Sequence, residues 1–148
     1  MAAAGEMVPA RCIEAVDGDT LRVRVAGLLV DVRLLGVDAP EHDQEWGAEA
    51  RNFAAAWCAR EGGLELELDR QERDRYRRTL AWVWSGPELL NASLVRAGLA
   101  IPYPWPPNVA HRSEIAAAQA EAQAAGAGFW SRGGLKMSPQ AWRSQGKN

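Results

Sequence analysis

The chain has few cysteines, no surplus of positive charge, no long apolar run and no internal repeat, and each absence removes a class of protein. Two cysteines in 148 residues, Cys12 and Cys58, are too few for a disulfide framework. Cys12 sits in a strand-like run beside Ile13, and Cys58 lies on the apolar face of a helix-like segment, positions where a thiol acts as a small hydrophobe. Free thiols are the expectation and a Cys12–Cys58 bridge the alternative; spacing does not choose between them, because a bridge depends on spatial proximity. The net charge of −2 argues against a protein that coats nucleic acid through bulk positive charge, but not against a local basic pocket. No stretch approaches the roughly 20 apolar residues of a membrane span, so no membrane partner is expected. The opening Met1-Ala2-Ala3-Ala4-Gly5-Glu6 lacks the charged start and apolar stretch of a signal peptide. Either the protein stays inside the cell or a leader has been removed.

What remains is an ordinary single-domain composition, 47% apolar and 24% charged, with seven tryptophans available as core anchors or stacking surfaces. The pattern runs β first, then mixed, then α. Arg11 to Val16 reads as a first strand and Asp17-Gly18 as a hairpin turn. Leu21, Val23 and Val25 alternate with Arg22 and Arg24, the period of a half-buried second strand. Leu28 to Val37 reads as a third. Ala50, Phe53, Ala54, Trp57 and Cys58 recur at helical spacing within Glu45 to Arg60, ended by Gly62-Gly63. Leu64, Leu66 and Leu68 mark a fourth strand, Thr79 to Trp84 a fifth, and Glu88 to Ala97 and His111 to Ala125 two more helices. The proline-rich Pro102 to Pro107 is a stiff loop. Five strands with an inserted helix predict an α+β, mainly β fold: a five-stranded OB-fold barrel with about three packed helices. Residues 1–9 are expected to be a flexible start, 10–132 the domain, and 133–148 a polar tail that frays after Met137.

The chemistry-bearing residues cluster. Asp17-Gly18-Asp19-Thr20 and Asp38-Ala39-Pro40-Glu41 flank a strand carrying Arg33, and Asp74-Arg75-Tyr76-Arg77-Arg78 follows. Carboxylates suit a hard cation, guanidinium groups suit phosphate, and together they supply metal-assisted phosphodiester cleavage. Pro40 fixes its loop so that Ala39 and Glu41 are aimed. Asp17 shapes the turn or supports the neighbouring ligands.

These motifs, with Arg33-Leu34-Leu35-Gly36-Val37, Leu94-Val95-Arg96-Ala97-Gly98-Leu99-Ala100 and Phe129-Trp130-Ser131, resemble the staphylococcal nuclease (thermonuclease) family over about residues 10 to 132. The resemblance implies an OB-fold, Ca²⁺ dependence, and cleavage of DNA and RNA to products with 3′-phosphate ends. It implies metal ligands at Asp19, Asp38 and the carbonyl of Ala39, where the family often has threonine. It assigns Glu41 to the attacking water and Arg33 and Arg78 to the scissile phosphate. Tyr76 and Tyr103 would flank the nucleotide, Trp105 would add an aromatic, and Arg75 would stand in for a lysine at a terminal phosphate. Family members are often secreted. A monomer acting on single strands is expected.

Two positions depart from that pattern. Arg77 replaces the glycine of a Tyr-Gly-Arg sequence, so it is strained if the turn needs positive φ. His42 to Gly47 is short and acidic where the family archetype has a longer, lysine-rich loop, which implies weaker substrate capture.

Each residue also has a plain structural reading. Arg22 and Arg24 suit a solvated strand face, Arg33 suits an ion pair with Asp31 or Glu41, and the run from Arg70 to Arg78 suits a solvated loop. His42 and His111 lack ligand partners at useful spacing and are expected at the surface; Trp57, Trp82 and Trp84 are expected in the core. It is the ordered set Asp19, Arg33, Asp38, Glu41 and Arg78 that favours a nuclease over the alternatives: a catalytically silent domain binding nucleic acid or protein, or a Ca²⁺-stabilised structural domain.

Overall fold

A computed structural model of the chain describes residues 4–145. Its strands are β1 (Met7–Asp17), β2 (Thr20–Val25), β3 (Leu28–Leu34), β4 (Val37–Asp38), β5 (Leu64–Glu67), β6 (Thr79–Ser85), β7 (Glu88–Leu89) and β8 (Ile101–Pro102). Its helices are α1 (Gly47–Cys58), α2 (Leu90–Arg96), α3 (Arg112–Ala125) and α4 (Pro139–Gln145), with a 3₁₀ turn over Gly128–Arg132. Among the described residues no helix is long and apolar enough to cross a membrane.

The alternating sequence of β2 does what its period demands. Leu21 and Val23 are fully buried while Arg24 faces solvent and Arg22 pairs across the sheet with Asp31. β1, β2 and β3 form an antiparallel meander, β1 also pairs with β5, and β5 with β6. A parallel pairing of β3 with β6, from Val32↔Thr79 to Leu34↔Ala81, closes the circle. The result is the closed five-stranded barrel of OB type, with its helices packed outside. Trp82, Leu21, Leu34, Leu80 and Leu94 fill the core, and Trp57 closes its α1 side. Buried Asn91 fastens α2 to the barrel, its side chain accepting from the Val83 amide at 2.9 Å and donating to the Leu35 carbonyl at 2.8 Å.

Several expectations are corrected. Cys12 and Cys58 are bridged, not free. Their Cα atoms lie 5.0 Å apart because α1 packs back on β1, a proximity set by barrel closure. Loop-closure entropy over a separation of 46 residues makes this crosslink worth about 4 kcal/mol. β1 starts at Met7, before Arg11, because its first residues pair with β5 and the rest with β2. The first hairpin turn is Gly18-Asp19, with Asp17 paired to Thr20. The third strand stops at Leu34: Gly36 turns the chain at φ 78° and the short β4 follows. His111 is half-buried, edge-on to Trp82 and Trp84, and its ring nitrogens meet Glu67 and Glu114. The tail beyond Met137 contains α4, where fraying was expected.

Candidate active site in the barrel cleft

Two close backbone approaches bring the acidic turns together. A Cβ on Gly18 would lie 2.7 Å from the Ala50 Cβ and 3.0 Å from that of Ala39, so the β1–β2 turn fits flat between α1 and the Asp38 loop. A Cβ on Gly47 would lie 1.8 Å from the Glu41 carbonyl oxygen; only glycine lets α1 begin against the Glu41 backbone. Asp19 then latches the two turns, its Oδ2 accepting from the Ala39 amide at 2.8 Å while Thr20 donates to Oδ1 at 3.2 Å.

Arg33 on β3 faces these acids. Its side chain is 7% exposed; Nη1 donates to the carbonyls of Leu34 and Val37, and Nη2 lies 3.5 Å from Asp19 and 3.3 Å from Asp38. Its partners are thus Asp19 and Asp38, while Asp31 goes to Arg22. The Arg33 guanidinium also covers the Trp105 ring at 5.4 Å.

The opposite wall is a loop organised by Asp74. One carboxylate oxygen accepts from the amides of Tyr76 and Arg78, both at 2.9 Å, and the other from Arg78 Nε at 2.7 Å. Arg77 sits at φ 66°, so the turn keeps its glycine-like geometry with an arginine in it. Arg75 donates to the Tyr76 hydroxyl at 2.7 Å, and the Arg75 and Arg78 guanidinium groups lie 4.9 and 5.6 Å from the Tyr76 ring centre. The Tyr103 and Trp105 rings lie 5.9 Å apart on the third side.

Asp19, Arg33, Glu41, Arg75, Tyr76, Arg78, Tyr103 and Trp105 therefore line one open cleft of about 660 Å³, joined by Asp17. Asp38 and Ala39, at 1% and 2% exposure, are packed beneath it. The cleft crowds negative charge. Burial pushes the Asp38 carboxyl above its ordinary value, against the pull of Arg143 and with Asp19 adding to the rise. Burial and the charges of Asp19 and Glu41 raise Asp17 likewise. Asp17 Oδ1 is buried with no hydrogen-bond partner among the described residues. Ligand atoms of Asp17, Glu41 and His42 all lie within 4.8 Å of one another, so exposed His42 does join an acidic group.

Sequence reasoning gave no role to three residues of the site. Asp74 builds the loop wall. Gln44 accepts from the Glu41 amide at 3.1 Å and holds that residue's backbone. Arg143 of α4 reaches back into the cleft, 2.7 Å from Glu41 and 3.2 Å from Asp38. The available signal was Ser138-Pro139, a helix start whose Ser138 Oγ accepts from the Ala141 amide.

A small closed barrel with carboxylates facing arginines and aromatic rings across one cleft is a protein shaped for an anionic ligand that carries flat rings. The chain belongs to the staphylococcal nuclease homologue family, which it matches over residues 31–132. It is 38% identical over 127 residues to the thermonuclease of Staphylococcus hyicus, covering 82% of this chain and 75% of that protein. It is 40% identical over 123 residues to the thermonuclease of Staphylococcus intermedius, covering 79% and 73%. An uncharacterized endonuclease of Haemophilus influenzae is 33% identical over 138 residues, covering 93% and 74%.

Proposed function

We propose that this protein is a Ca²⁺-dependent nuclease that hydrolyses DNA and RNA to products with 3′-phosphate ends. The observation that carries the reading is the meeting of Asp19, Glu41, Arg33 and Arg78 in one cleft beside Tyr76, Tyr103 and Trp105. Relatives named thermonuclease and endonuclease support it.

The donor set suits a hard cation: it is built from carboxylates, and it contains Asp17 Oδ1, which has no hydrogen-bond partner among the described residues. Asp19, Asp38 and the Ala39 carbonyl would hold the ion. When bound, Ca²⁺ neutralises charge on the phosphate and polarises its oxygen.

The chain's own groups supply the rest. Arg33 and Arg78 grip the phosphate and favour the charge that builds on it during attack. Arg33 acts from Nε, since Nη1 is committed to two carbonyls and Nη2 to Asp19 and Asp38. Glu41 orients a water and takes its proton as the oxygen bonds to phosphorus. The P–O5′ bond breaks, the 5′-oxygen picks up a proton from solvent, and phosphate stays on the 3′ side. Tyr76, Tyr103 and Trp105 offer stacking faces that suit unpaired bases, with Arg75 at a terminal phosphate, so single strands are the favoured substrate. The protein works as a monomer. The Cys12–Cys58 bridge supports action in an oxidising compartment.

The test is cleavage of a labelled single-stranded DNA in CaCl₂ and in EGTA, beside Glu41→Gln. The carboxamide keeps the shape and loses the base, so a fall of about 10²–10⁴-fold is expected, with the fold intact. Full activity in Glu41→Gln would remove Glu41 from the mechanism, and full activity in EGTA would remove the cation.

A further inference from the structure

α4 puts a positive charge where the proposed function needs a cation. Arg143 Nη1 lies 2.7 Å from Glu41 Oε1 and 3.3 Å from Asp38 Oδ1, and Nη2 lies 3.2 Å from Asp38 Oδ2. One planar guanidinium thus spans the buried aspartate and the glutamate beside it, and the carboxylates it occupies are oxygens a metal ion would use. Gln140 and Ser144 line the same cleft, so the helix as well as its arginine fills the opening.

The helix is tied down by the residues that follow Glu41. Gln44 Nε2 donates to the Met137 carbonyl at 2.8 Å, and Trp142 Nε1 donates to Asp43 Oδ1 at 3.0 Å. Lys136 reaches Glu45 at 3.9 Å. The short acidic loop that looks unfit to capture substrate is therefore a docking strip for the chain's own C-terminal segment. These ties are mainly polar: within α4 only Pro139 is buried, and the apolar core ends before this helix. Partly exposed ion pairs and hydrogen bonds of this kind are weak enough to open locally while the barrel stays folded.

We propose that the segment from Met137 to Gln145 is an autoinhibitory strap, in which Arg143 competes with the divalent cation for Asp38 and Glu41. The inference rests on the cation reading above and adds its regulation. The ion and the closed strap exclude each other, so binding the ion releases α4 and uncovers the cleft for substrate. The apparent affinity for the ion is lowered by the fraction of molecules with the strap closed.

The test titrates CaCl₂ calorimetrically, without nucleic acid, into wild type, Arg143→Ala and Trp142→Ala. Amide exchange in α4 of the wild type is followed with and without CaCl₂. About tenfold tighter binding is expected for Arg143→Ala, with a smaller gain for Trp142→Ala, which loosens the strap and keeps the arginine. CaCl₂ should speed exchange across α4. Equal or weaker binding by Arg143→Ala, or unchanged α4 exchange in saturating CaCl₂, would overturn the strap and leave the nuclease reading standing. A weaker value would instead mean that Arg143 positions Asp38 and Glu41 for the ion. Absence of binding by all three proteins would overturn the cation reading and the strap together.

Discussion

Arg33 and Arg78 reach one cleft from two walls that are held by different means. Arg33 stands on a strand paired on both sides, opposite Thr20 on β2 and Leu80 on β6, and its guanidinium is locked by two carbonyls and two carboxylates. Arg78 stands on a loop whose shape comes largely from one side chain, Asp74, and its own side chain is 29% exposed. Behind that loop, Gln71 and Asn108 exchange two hydrogen bonds that moor its start. The barrel wall therefore binds function to folding: the groups that would hold ion and phosphate also close the structure. The loop wall separates them.

That difference predicts unequal stability costs for the same substitution. Arg33→Met leaves Asp19 and Asp38 buried without their shared cation and should cost about 3–5 kcal/mol of stability as well as activity. Arg78→Met should lower cleavage about 10²–10³-fold and cost a smaller amount of stability, about 1–3 kcal/mol, because the Asp74 side chain, 5% exposed, loses its cation but keeps two amide donors. Urea denaturation beside cleavage of single-stranded DNA measures both. Arg33→Met at full stability, or an unfolded Arg78→Met, would erase the distinction between the walls.

His111, which is not among the cleft-lining residues, sharpens the comparison. Burial pulls its pKa down, but hydrogen bonds to Glu114 and Glu67 prevail and raise it above the ordinary value of 6.5. A histidine shifted this way adds stability that is fully present below the unfolded value and is lost as pH rises through the folded one. Thermal midpoints of the wild type should therefore fall as pH climbs from about 6.5, and His111→Gln should flatten that slope. A slope unchanged in His111→Gln would assign it to other groups.

Much of this is legible in the sequence alone. Leu21 and Val23 alternating with arginines declared β2, and Asp19, Arg33, Asp38 and Glu41 sat at turns and strand positions that local spacing fixes. What stayed hidden depends on contacts between distant segments. The parallel β3–β6 pairing, the 5.0 Å approach of Cys12 and Cys58, and the reach of Arg143 across 102 residues to Glu41 follow from closing the barrel and docking the tail. His111 looked like a surface histidine because its partners, Trp82, Trp84 and Glu67, lie on β5 and β6, far back in sequence.

Arg77 offers the finest test of the loop wall. It holds φ at 66°, a conformation that costs a non-glycine residue about 1–2 kcal/mol. Arg77→Gly relieves that strain but adds freedom to the unfolded chain, worth about 0.4–1 kcal/mol, so a net gain of roughly 0.5–1 kcal/mol is expected. The same change removes a cation from the groove that Arg77 shares with Arg22 and Arg73 beside Arg78. If that groove carries one phosphate of the substrate, the slope of log affinity against log salt should shrink by about 0.7 for a single strand. A more stable protein with a flatter salt dependence would mean that the loop keeps its strained arginine for substrate capture and that Asp74 alone sets the turn. A less stable Arg77→Gly would mean that the arginine side chain helps hold the loop, and the two walls would then differ less than their geometry suggests.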